Sequence, residues 1–159
     1  LNPINPYGAL KVICEKKIIK NSKNNYKYLI LRISQIYGEK IKSNIIYKFI
    51  QLGLKNKAIT IHGDGNQKRD FVSIKDFLNL ISKCLNFKKN QICNVSGDKE
   101  YKIIEIVNFL KFKYQILKNF NNPINLKGNN NLIKKEFNWR PKVNFKKELL
   151  EIKKKLSKN

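Results

Sequence analysis

The feature of this sequence that most limits its fold is a short apolar run between two helical patterns. Residues 28–33, YLILRI, have the length of a strand and are almost continuously apolar. Such a run is typical of a parallel strand that is covered by helices on both faces. The sequence therefore predicts an α/β fold. Residues 34–38 follow the strand and lie where an open α/β sheet places its ligand site.

The helical pattern before this strand contains two residues that can act together. Apolar residues recur at helical spacing from residue 7 to residue 18, and the polar residues 21–25 end the pattern. Tyr7 and Lys11 are four residues apart, so they share one face of the predicted helix. An ammonium group beside a phenol favours the phenolate, which is the form that can act as a general base. This spacing alone is common, but the flanking PYG sequence makes the pair a candidate catalytic unit.

The most specific stretch of the sequence is residues 59–76, ITIHGDGNQKRDFVSIKD. Its Gly-Asp-Gly turn permits a tight reversal after a short strand. Arg69 follows the turn, and the fixed fork of donors in a guanidinium group suits a diphosphate. We interpret Asp70 and Asp76 as structural residues that bond turns and the start of the next helix. We interpret His62, the single histidine, as a pocket-wall or surface residue.

Four further helices are predicted from apolar residues at helical spacing. The first begins at a cap provided by Ser43 or Asn44 and stops near Gly53. The second follows Asp76, the third begins at Tyr101 after a short strand near residues 91–95, and the fourth is terminal. The residues assigned to core-facing stripes are Phe77, Leu78, Ile81 and Leu85 in the second helix and Phe145, Leu149, Ile152 and Leu156 in the terminal helix.

Several motifs, in this order, resemble those of the NAD-dependent epimerase/dehydratase family, nucleotide-sugar enzymes of the extended short-chain dehydrogenase/reductase type. Residues 6–11 resemble the family's Pro-Tyr-Gly-x-x-Lys, and residues 31–38 resemble its Leu-Arg-x-x-Asn-x-Tyr-Gly. Residues 63–72 resemble Gly-Asp-Gly-x-Gln-x-Arg-Asp-Phe-Val, and residues 131–141 resemble a closing Lys-x-x-Leu-Gly-Trp-x-Pro. The resemblance extends from residue 3 to about residue 150.

The resemblance implies a division of the chain into two parts. Residues 1–57 would be the C-terminal part of a Rossmann-type, doubly wound NAD-binding sheet and would include the Tyr-x-x-x-Lys helix. Residues 58–159 would be mainly the small α/β domain that binds the nucleotide sugar. The site residues implied are Tyr7 as catalytic acid/base, Lys11 at the nicotinamide ribose, Ser34 beside the nicotinamide, and Gln35, Ile61 and Arg69 at the substrate.

The chain departs from the family's pattern at positions that bear on binding. Gln35 replaces an Asn, which adds one methylene to the reach of the amide group. Ser96 stands where Gly is usual. Many relatives carry a second diphosphate-binding Arg before the closing motif, whereas this chain offers only Lys127 there, which supplies a point charge but no bidentate fork. The sequence therefore predicts weaker binding of the nucleotide.

The activity implied by the resemblance is that of a nucleotide-sugar epimerase, which transiently oxidises a sugar hydroxyl with NAD and inverts the carbon. A nucleotide-sugar 4,6-dehydratase or a reductase of the same family is the alternative. The expected ligands are NAD and a nucleotide-diphosphate sugar, with no metal. A homodimer is expected for the complete protein, and a separate N-terminal Rossmann half is a second expected partner.

The length of 159 residues is too small for a whole enzyme of this kind. The chain contains no Gly-rich G-x-x-G-x-x-G loop after an N-terminal strand, and it contains no Met. We therefore expect a C-terminal portion of a longer protein that does not turn over alone. Half of a split enzyme and an inactive remnant remain open as alternatives.

The net charge of +23 raises a rival interpretation from another class, a basic nucleic-acid-binding module. The positive residues are mostly Lys and are spread along the whole chain among many Asn and Ile, which indicates a bias in composition. The rival also gives no reason for the motifs around Tyr7 and Arg69. We therefore expect no nucleic-acid partner.

The three cysteines, Cys14, Cys84 and Cys93, show no C-x-x-C spacing and an odd count. This pattern indicates neither a zinc site nor a set of disulfides, and we interpret all three as small buried apolar residues. No apolar run approaches the length of a membrane span, and no signal peptide is visible. We expect a cytoplasmic protein with no membrane partner.

Overall fold

The computed structural model describes residues 3, 5–22, 26–118 and 127–158. The elements in chain order are α1 (Pro6–Asn21), β1 (Leu29–Ile33), β2 (Gln35–Tyr37), α2 (Ile45–Leu54), β3 (Ile59–His62), β4 (Lys68–Ser73), α3 (Ile74–Cys84), β5 (Gln91–Val95), β6 (Glu100–Lys102), α4 (Ile103–Leu110), β7 (Tyr114–Leu117), α5 (Asn131–Phe137) and α6 (Phe145–Leu156). The predicted α/β fold is confirmed.

The first helix begins where the sequence supplies both a cap and a proline. The Asn5 side chain accepts a hydrogen bond from the Gly8 backbone N–H at 2.8 Å, and Pro6 occupies the first turn. These are the residue types that start helices, because a capped N–H and a missing N–H leave fewer donors unsatisfied. None of the residues of α1 is buried.

The first predicted strand, β1, pairs in parallel with β5, with Leu31 opposite Cys93. Within the described part of the chain, β1 pairs with no other strand. The strand is only half-buried, and Ile33 is 39% exposed. The expectation that helices cover both faces of this strand is therefore not met in full, because too few described segments lie against it.

The chain steps from one sheet to the next at Ser34. Strand β2 follows at once and pairs in parallel with β4, which pairs in antiparallel with β6. Strands β3 and β7 form a separate parallel pair. The pairing of β1 with β5 crosses the predicted boundary at residue 57, and that boundary stays a prediction.

Among the residues that the structure describes, two apolar clusters form the core. The larger cluster joins α2, α4 and α6 to β3 and β4, and the rings of Tyr101 and Phe145 stack in it with centroids 4.0 Å apart. The smaller cluster lies between β5, α3 and α5 and contains the single tryptophan, Trp139, which is 1% exposed.

The core-facing stripe that the sequence predicts for the helix after Asp76, which is α3, is wrong in two places. The helix begins at Ile74, behind a Ser73 cap, and its buried apolar residue is Leu80. Leu78 and Leu85 are 60% and 77% exposed. The buried residues of α3 are Asp76 and Leu80, one helical turn apart, so the buried face runs through these two positions and not through Leu78.

The start of α4 also differs from the prediction. Tyr101 lies in β6, opposite Arg69 in the antiparallel ladder, and the helix begins two residues later at Ile103. The ladder with β4 holds the Tyr101 backbone extended. The stripe of the terminal helix is confirmed, since Phe145, Leu149 and Ile152 are buried and Leu156 packs against them.

The interpretation of all three cysteines as buried is wrong for Cys14, which is exposed on α1. Cys93 is buried and Cys84 is half-buried, and burial raises the pKa of both thiols. Cys14 lies on α1 close to Leu10 and Ile13, which are also exposed.

Asp76 joins the start of α3 to the segment before α6. Its Oδ1 and Oδ2 accept hydrogen bonds from the backbone N–H groups of Lys142 at 3.0 Å and Val143 at 3.1 Å. Its backbone carbonyl accepts a third from the Trp139 indole at 3.1 Å. The structural role interpreted for Asp76 is thus present in the structure.

Candidate active site

Tyr7 and Lys11 lie on one face of α1, as their spacing indicates. The Lys11 Nζ is 5.2 Å from the centroid of the Tyr7 ring. Tyr7 is 69% exposed, so its hydroxyl is accessible to a ligand. Both residues line a groove of about 630 Å³ between α1 and residues 30–33 of β1.

An ion pair ties this helix to β1. The Arg32 Nε donates to Glu15 Oε1 at 2.8 Å, and the second guanidinium nitrogen donates to Oε2 at 2.6 Å. The hydrogen bond from Arg32 and its positive charge hold the pKa of Glu15 below its ordinary value of 4.5, against the effect of burial. The same hydrogen bond raises the pKa of Arg32. This pair sets the distance between α1, with its Tyr7 and Lys11, and the strand beside it.

A second cavity, of about 350 Å³, lies at the carboxyl end of β1. Ser34, Gln35, Arg69 and Lys127 are among its lining residues. It adjoins the groove on α1, because Arg32 and Ile33 line both. The structure therefore brings five of the six predicted site residues to one region, namely Tyr7, Lys11, Ser34, Gln35 and Arg69.

Ile61, the sixth predicted site residue, is not at either cavity. Its side chain is 1% exposed and packs in the larger core cluster. The strand β3 alternates, so Ile59 and Ile61 face the core while His62 is exposed. Only the Ile61 backbone could contribute to a ligand site, and its substrate role stays a prediction.

Ser34 carries an unsatisfied polar atom at the second cavity. Its backbone N–H donates to the Val95 carbonyl at 2.9 Å. Its Oγ is buried and has no hydrogen-bond partner among the described residues. Buried hydroxyl groups are normally hydrogen-bonded, so this Oγ fits a ligand that carries a polar group such as an amide.

Arg69 is positioned by the end of the Gly-Asp-Gly turn and by β4. Gly63 and Gly65 have φ values of 80° and 77°, which glycine adopts without strain, and the predicted tight reversal is present. The Asp64 Oδ1 accepts from the Asn66 backbone N–H at 2.8 Å within this turn. Arg69 is half-buried, and burial lowers the pKa of its guanidinium group.

Asp70 holds two loops that border the second cavity. Its Oδ1 accepts from the Gly97 N–H at 3.3 Å and its Oδ2 accepts from the Gly128 N–H at 3.0 Å. The carboxylate is 3% exposed. The interpretation of Asp70 as a residue that bonds turns agrees with these contacts.

Sequence reasoning missed the part played by Arg32. Its side chain borders both cavities and is half-buried. The available signal was a charged residue within an otherwise apolar strand, since a charge at such a place needs a partner.

A further cavity, of about 520 Å³, lies between β4 and the segment before α6 and contains none of the predicted site residues. Tyr37 and Tyr101 line it. Burial, followed by the nearby Glu148 carboxylate, strongly raises the pKa of Tyr37, which keeps this phenol neutral.

Residues 1–96, more than half of the chain, match the model of a protein family described as the NAD dependent epimerase/dehydratase family. The chain belongs to this family. The predicted membership is thus confirmed, and the family is NAD dependent. Its members among the relatives below include nucleotide-sugar epimerases and dehydratases.

Two curated relatives illustrate the range of this family. A putative UDP-glucose 4-epimerase of Methanocaldococcus jannaschii is 39% identical over 116 residues, which cover 70% of this chain and 38% of that protein. A dTDP-D-glucose 4,6-dehydratase of Dictyostelium discoideum is 39% identical over 98 residues, which cover 60% of this chain and 22% of that protein. The matched part of the chain thus spans well under half of these relatives.

Solved structures of the family share the fold. The UDP-glucuronic acid 4-epimerase of Bacillus cereus, solved with UDP-glucuronic acid and NAD, has a TM-score of 0.87 and 26% identity. The match covers 98% of this chain and 54% of that one. The dTDP-glucose 4,6-dehydratase of Bacillus anthracis, solved with NAD, has a TM-score of 0.85 at 23% identity, and the match covers 54% of its chain. The chain therefore spans about half of these enzymes.

The described helices do not include one that is both long and apolar enough to span a membrane. The expected cytoplasmic location stays a prediction.

Proposed function

We propose that this chain is the catalytic-helix and substrate-binding part of an NAD-dependent nucleotide-sugar epimerase. The observation that carries the proposal is the meeting of two cavities at Arg32 and Ile33. One cavity presents Tyr7 and Lys11, the pair suited to proton transfer. The other presents Arg69, the side chain suited to a diphosphate. A nucleotide sugar could occupy both cavities at once, because it carries a sugar hydroxyl and a diphosphate in one molecule.

Tyr7 acts in this proposal as the base that takes a proton from a sugar hydroxyl. Before the transfer Tyr7 is the phenolate, and after it Tyr7 is the neutral phenol. Lys11 supplies a positive charge beside the phenolate, because its ammonium lies over the same ring. Arg69 binds the diphosphate, and Gln35 donates to the substrate from the start of β2. Proton transfer of this kind contributes roughly 10²–10⁴-fold to a rate.

The residues present also fit part of an NAD site. When bound, NAD supplies the group that accepts and returns a hydride. The buried Ser34 Oγ, which has no partner in the described part of the chain, provides a donor or acceptor for an amide at the cavity. Lys11 would hold the adjacent ribose. The Gly-rich phosphate loop of such a site does not occur in this sequence.

An N-terminal nucleotide-binding half is part of the proposal. Three large apolar side chains of α1, Tyr7, Leu10 and Ile13, are between 51% and 69% exposed. Strand β1 pairs on one side only, among the strands that the structure describes. These features support a further strand and helix packed against β1 and α1, supplied by the same polypeptide or by a separate chain. A homodimer of the completed enzyme stays a prediction.

The deciding experiment is turnover of UDP-glucose and NAD by the protein isolated from its source cell, with the products separated by chromatography. A Tyr7→Phe variant should lose at least a hundredfold in kcat, because the phenol that moves the proton is gone. A Tyr114→Phe variant is the matched control, since this tyrosine lies on β7 outside both cavities. Full activity in Tyr7→Phe would refute the proposed role.

The products separate the alternatives within the family. An epimer with NAD unchanged in amount supports an epimerase, whereas a 4-keto-6-deoxy sugar nucleotide supports a 4,6-dehydratase. Residues 1–159 alone should show no turnover, and addition of an N-terminal nucleotide-binding half should restore it. Turnover by the isolated chain would contradict the need for that half. Failure of every pairing would favour an inactive remnant.

The affinity of the protein for duplex DNA, measured at about 150 mM salt, tests the rival interpretation as a nucleic-acid-binding module. The proposal expects weak binding that falls steeply as salt rises, because the lysines are spread over the surface. Tight binding that persists at this salt concentration would favour a nucleic-acid-binding module.

A further inference from the structure

The backbone at Gly128 is held on both sides by buried side chains. Its N–H donates to the Asp70 Oδ2 at 3.0 Å, and its carbonyl accepts a hydrogen bond from the Ser96 Oγ at 2.8 Å. Asp70 and Ser96 are 3% and 1% exposed. We call these two side chains, together with Gly128, the Gly128 clamp.

Close packing and neighbouring hydrogen bonds restrict this position further. A Cβ atom added to Gly128 would lie 2.9 Å from the Ser96 Cβ, so a larger residue would push the two segments apart. The Asn130 side chain donates to the Ser96 carbonyl at 2.9 Å. The Asn94 side chain donates to the Asn129 carbonyl at 3.3 Å. Segment 127–130 is therefore fixed to the loop that follows β5.

Lys127 immediately precedes the clamp and lines the same cavity as Arg69. Its side chain is 69% exposed, and its Nζ is 3.9 Å from the Glu100 Oε2. We propose that Asp70 and Ser96 are positioning residues, which hold Gly128 so that Lys127 binds the nucleotide diphosphate together with Arg69. This inference rests on the proposed binding of a nucleotide sugar. It adds how the ammonium of Lys127, the second positive group at the diphosphate, is positioned.

The physical reason lies in the flexibility of lysine. An ammonium group on a four-carbon side chain is a point charge with little preferred orientation, so its place relative to an anion depends on where its backbone is held. A fixed backbone lowers the entropy that is lost when the side chain closes on a ligand. The Ser96 hydroxyl donates directly to the Gly128 carbonyl, so its removal takes away one side of the clamp without adding bulk.

The test measures the Kd of UDP by calorimetry at about 150 mM salt for a double-mutant cycle of Ser96→Gly and Lys127→Ala. Lys127→Ala should weaken UDP binding by about five- to thirtyfold, as expected for one charge-assisted contact. Ser96→Gly should weaken it by about three- to tenfold while Lys127 is present. In the Lys127→Ala background, Ser96→Gly should have no further effect, because there is no longer a lysine to position.

Two controls distinguish the positioning of Lys127 from a general loss of positive charge or of stability. Lys99→Ala removes one positive charge from a different cavity and should change the Kd by less than about twofold. Amide hydrogen exchange at Gly128 should rise at least tenfold in Ser96→Gly and in Asp70→Asn, while exchange in α6 stays unchanged. A merely structural role would loosen the fold as a whole and leave the two substitutions of the cycle additive.

The outcomes distinguish this inference from the proposed function. If the unsubstituted protein binds UDP and Arg69→Ala abolishes binding, but the cycle is additive, then the clamp does not position Lys127. If the unsubstituted protein binds neither UDP nor inorganic pyrophosphate, then both the proposed diphosphate site and this inference are overturned.

Discussion

Glu15 and Arg32 form a two-point ion pair that joins α1 to β1 across seventeen residues of sequence. None of the residues of α1 is buried, so this pair is a large part of what holds the helix against the sheet in the described part of the chain. The position of Tyr7 relative to the carboxyl end of β1 therefore depends on a polar contact outside the catalytic pair.

Removal of this ion pair should loosen α1 selectively. Glu15→Gln or Arg32→Lys should cost about 1–2 kcal/mol, because a charge-assisted fork is lost from side chains that are mostly shielded from water. Amide exchange in α1 should rise by about tenfold, since local opening depends exponentially on that free energy. Glu39→Gln removes the exposed Lys155–Glu39 pair instead and should cost less than about 1 kcal/mol. Equal effects of the two substitutions would contradict a special role for the α1 pair.

The same ion pair should make the attachment of α1 dependent on pH. The pKa of Glu15 in the folded protein is below its ordinary value of 4.5, so the stabilisation is complete above about pH 4.5. It is lost as the pH falls through the lower folded value, because the carboxyl group becomes protonated. Amide exchange of α1, corrected for the intrinsic effect of pH, should rise as the pH falls below about 4.5. Glu15→Gln should lack this rise, and its persistence there would assign the effect to another group.

Removal of the Asp76 carboxylate should destabilise the whole fold. Asp76→Ala takes away both acceptors of the Lys142 and Val143 N–H groups, which we expect to cost about 2–4 kcal/mol. The buried Trp139 reports unfolding, so the midpoint in urea can be followed by its fluorescence. Asp64→Ala changes an exposed carboxylate in a turn and should not shift the midpoint comparably. An unchanged midpoint in Asp76→Ala would show that water replaces the carboxylate without loss.

Substitution of Gly53 by alanine should destabilise the protein even though it lies within α2. Alanine favours helices by about 1 kcal/mol over glycine. Its Cβ atom, however, would lie 2.2 Å from the Phe112 ring, and we expect this overpacking to cost about 2–3 kcal/mol, which exceeds the helix gain. Denaturation in urea measures the difference. Gly8→Ala, whose Cβ would meet its nearest atom at 3.3 Å, is the control and should be neutral or stabilising.

Local patterns in the sequence were enough for most elements and for the pairing of Tyr7 with Lys11 in the candidate site. The start of α1, the turn at Gly63 and Gly65, and the stripe of α6 follow from caps, backbone freedom and helical periodicity, which act over a few residues. The spacing of Tyr7 and Lys11 likewise determined that they share a face, since one helical turn separates them.

The sequence by itself thus determined the α/β class, the main helices and strands, and the motifs that carry the candidate chemistry. Tertiary structure alone decided that Leu80 rather than Leu78 is buried and that Arg32 meets Glu15. It also decided that Gly128 reaches Asp70 from a distance of 58 residues. Such contacts depend on how separate segments pack together, and that choice reflects the free energy of the whole fold and not of any single segment.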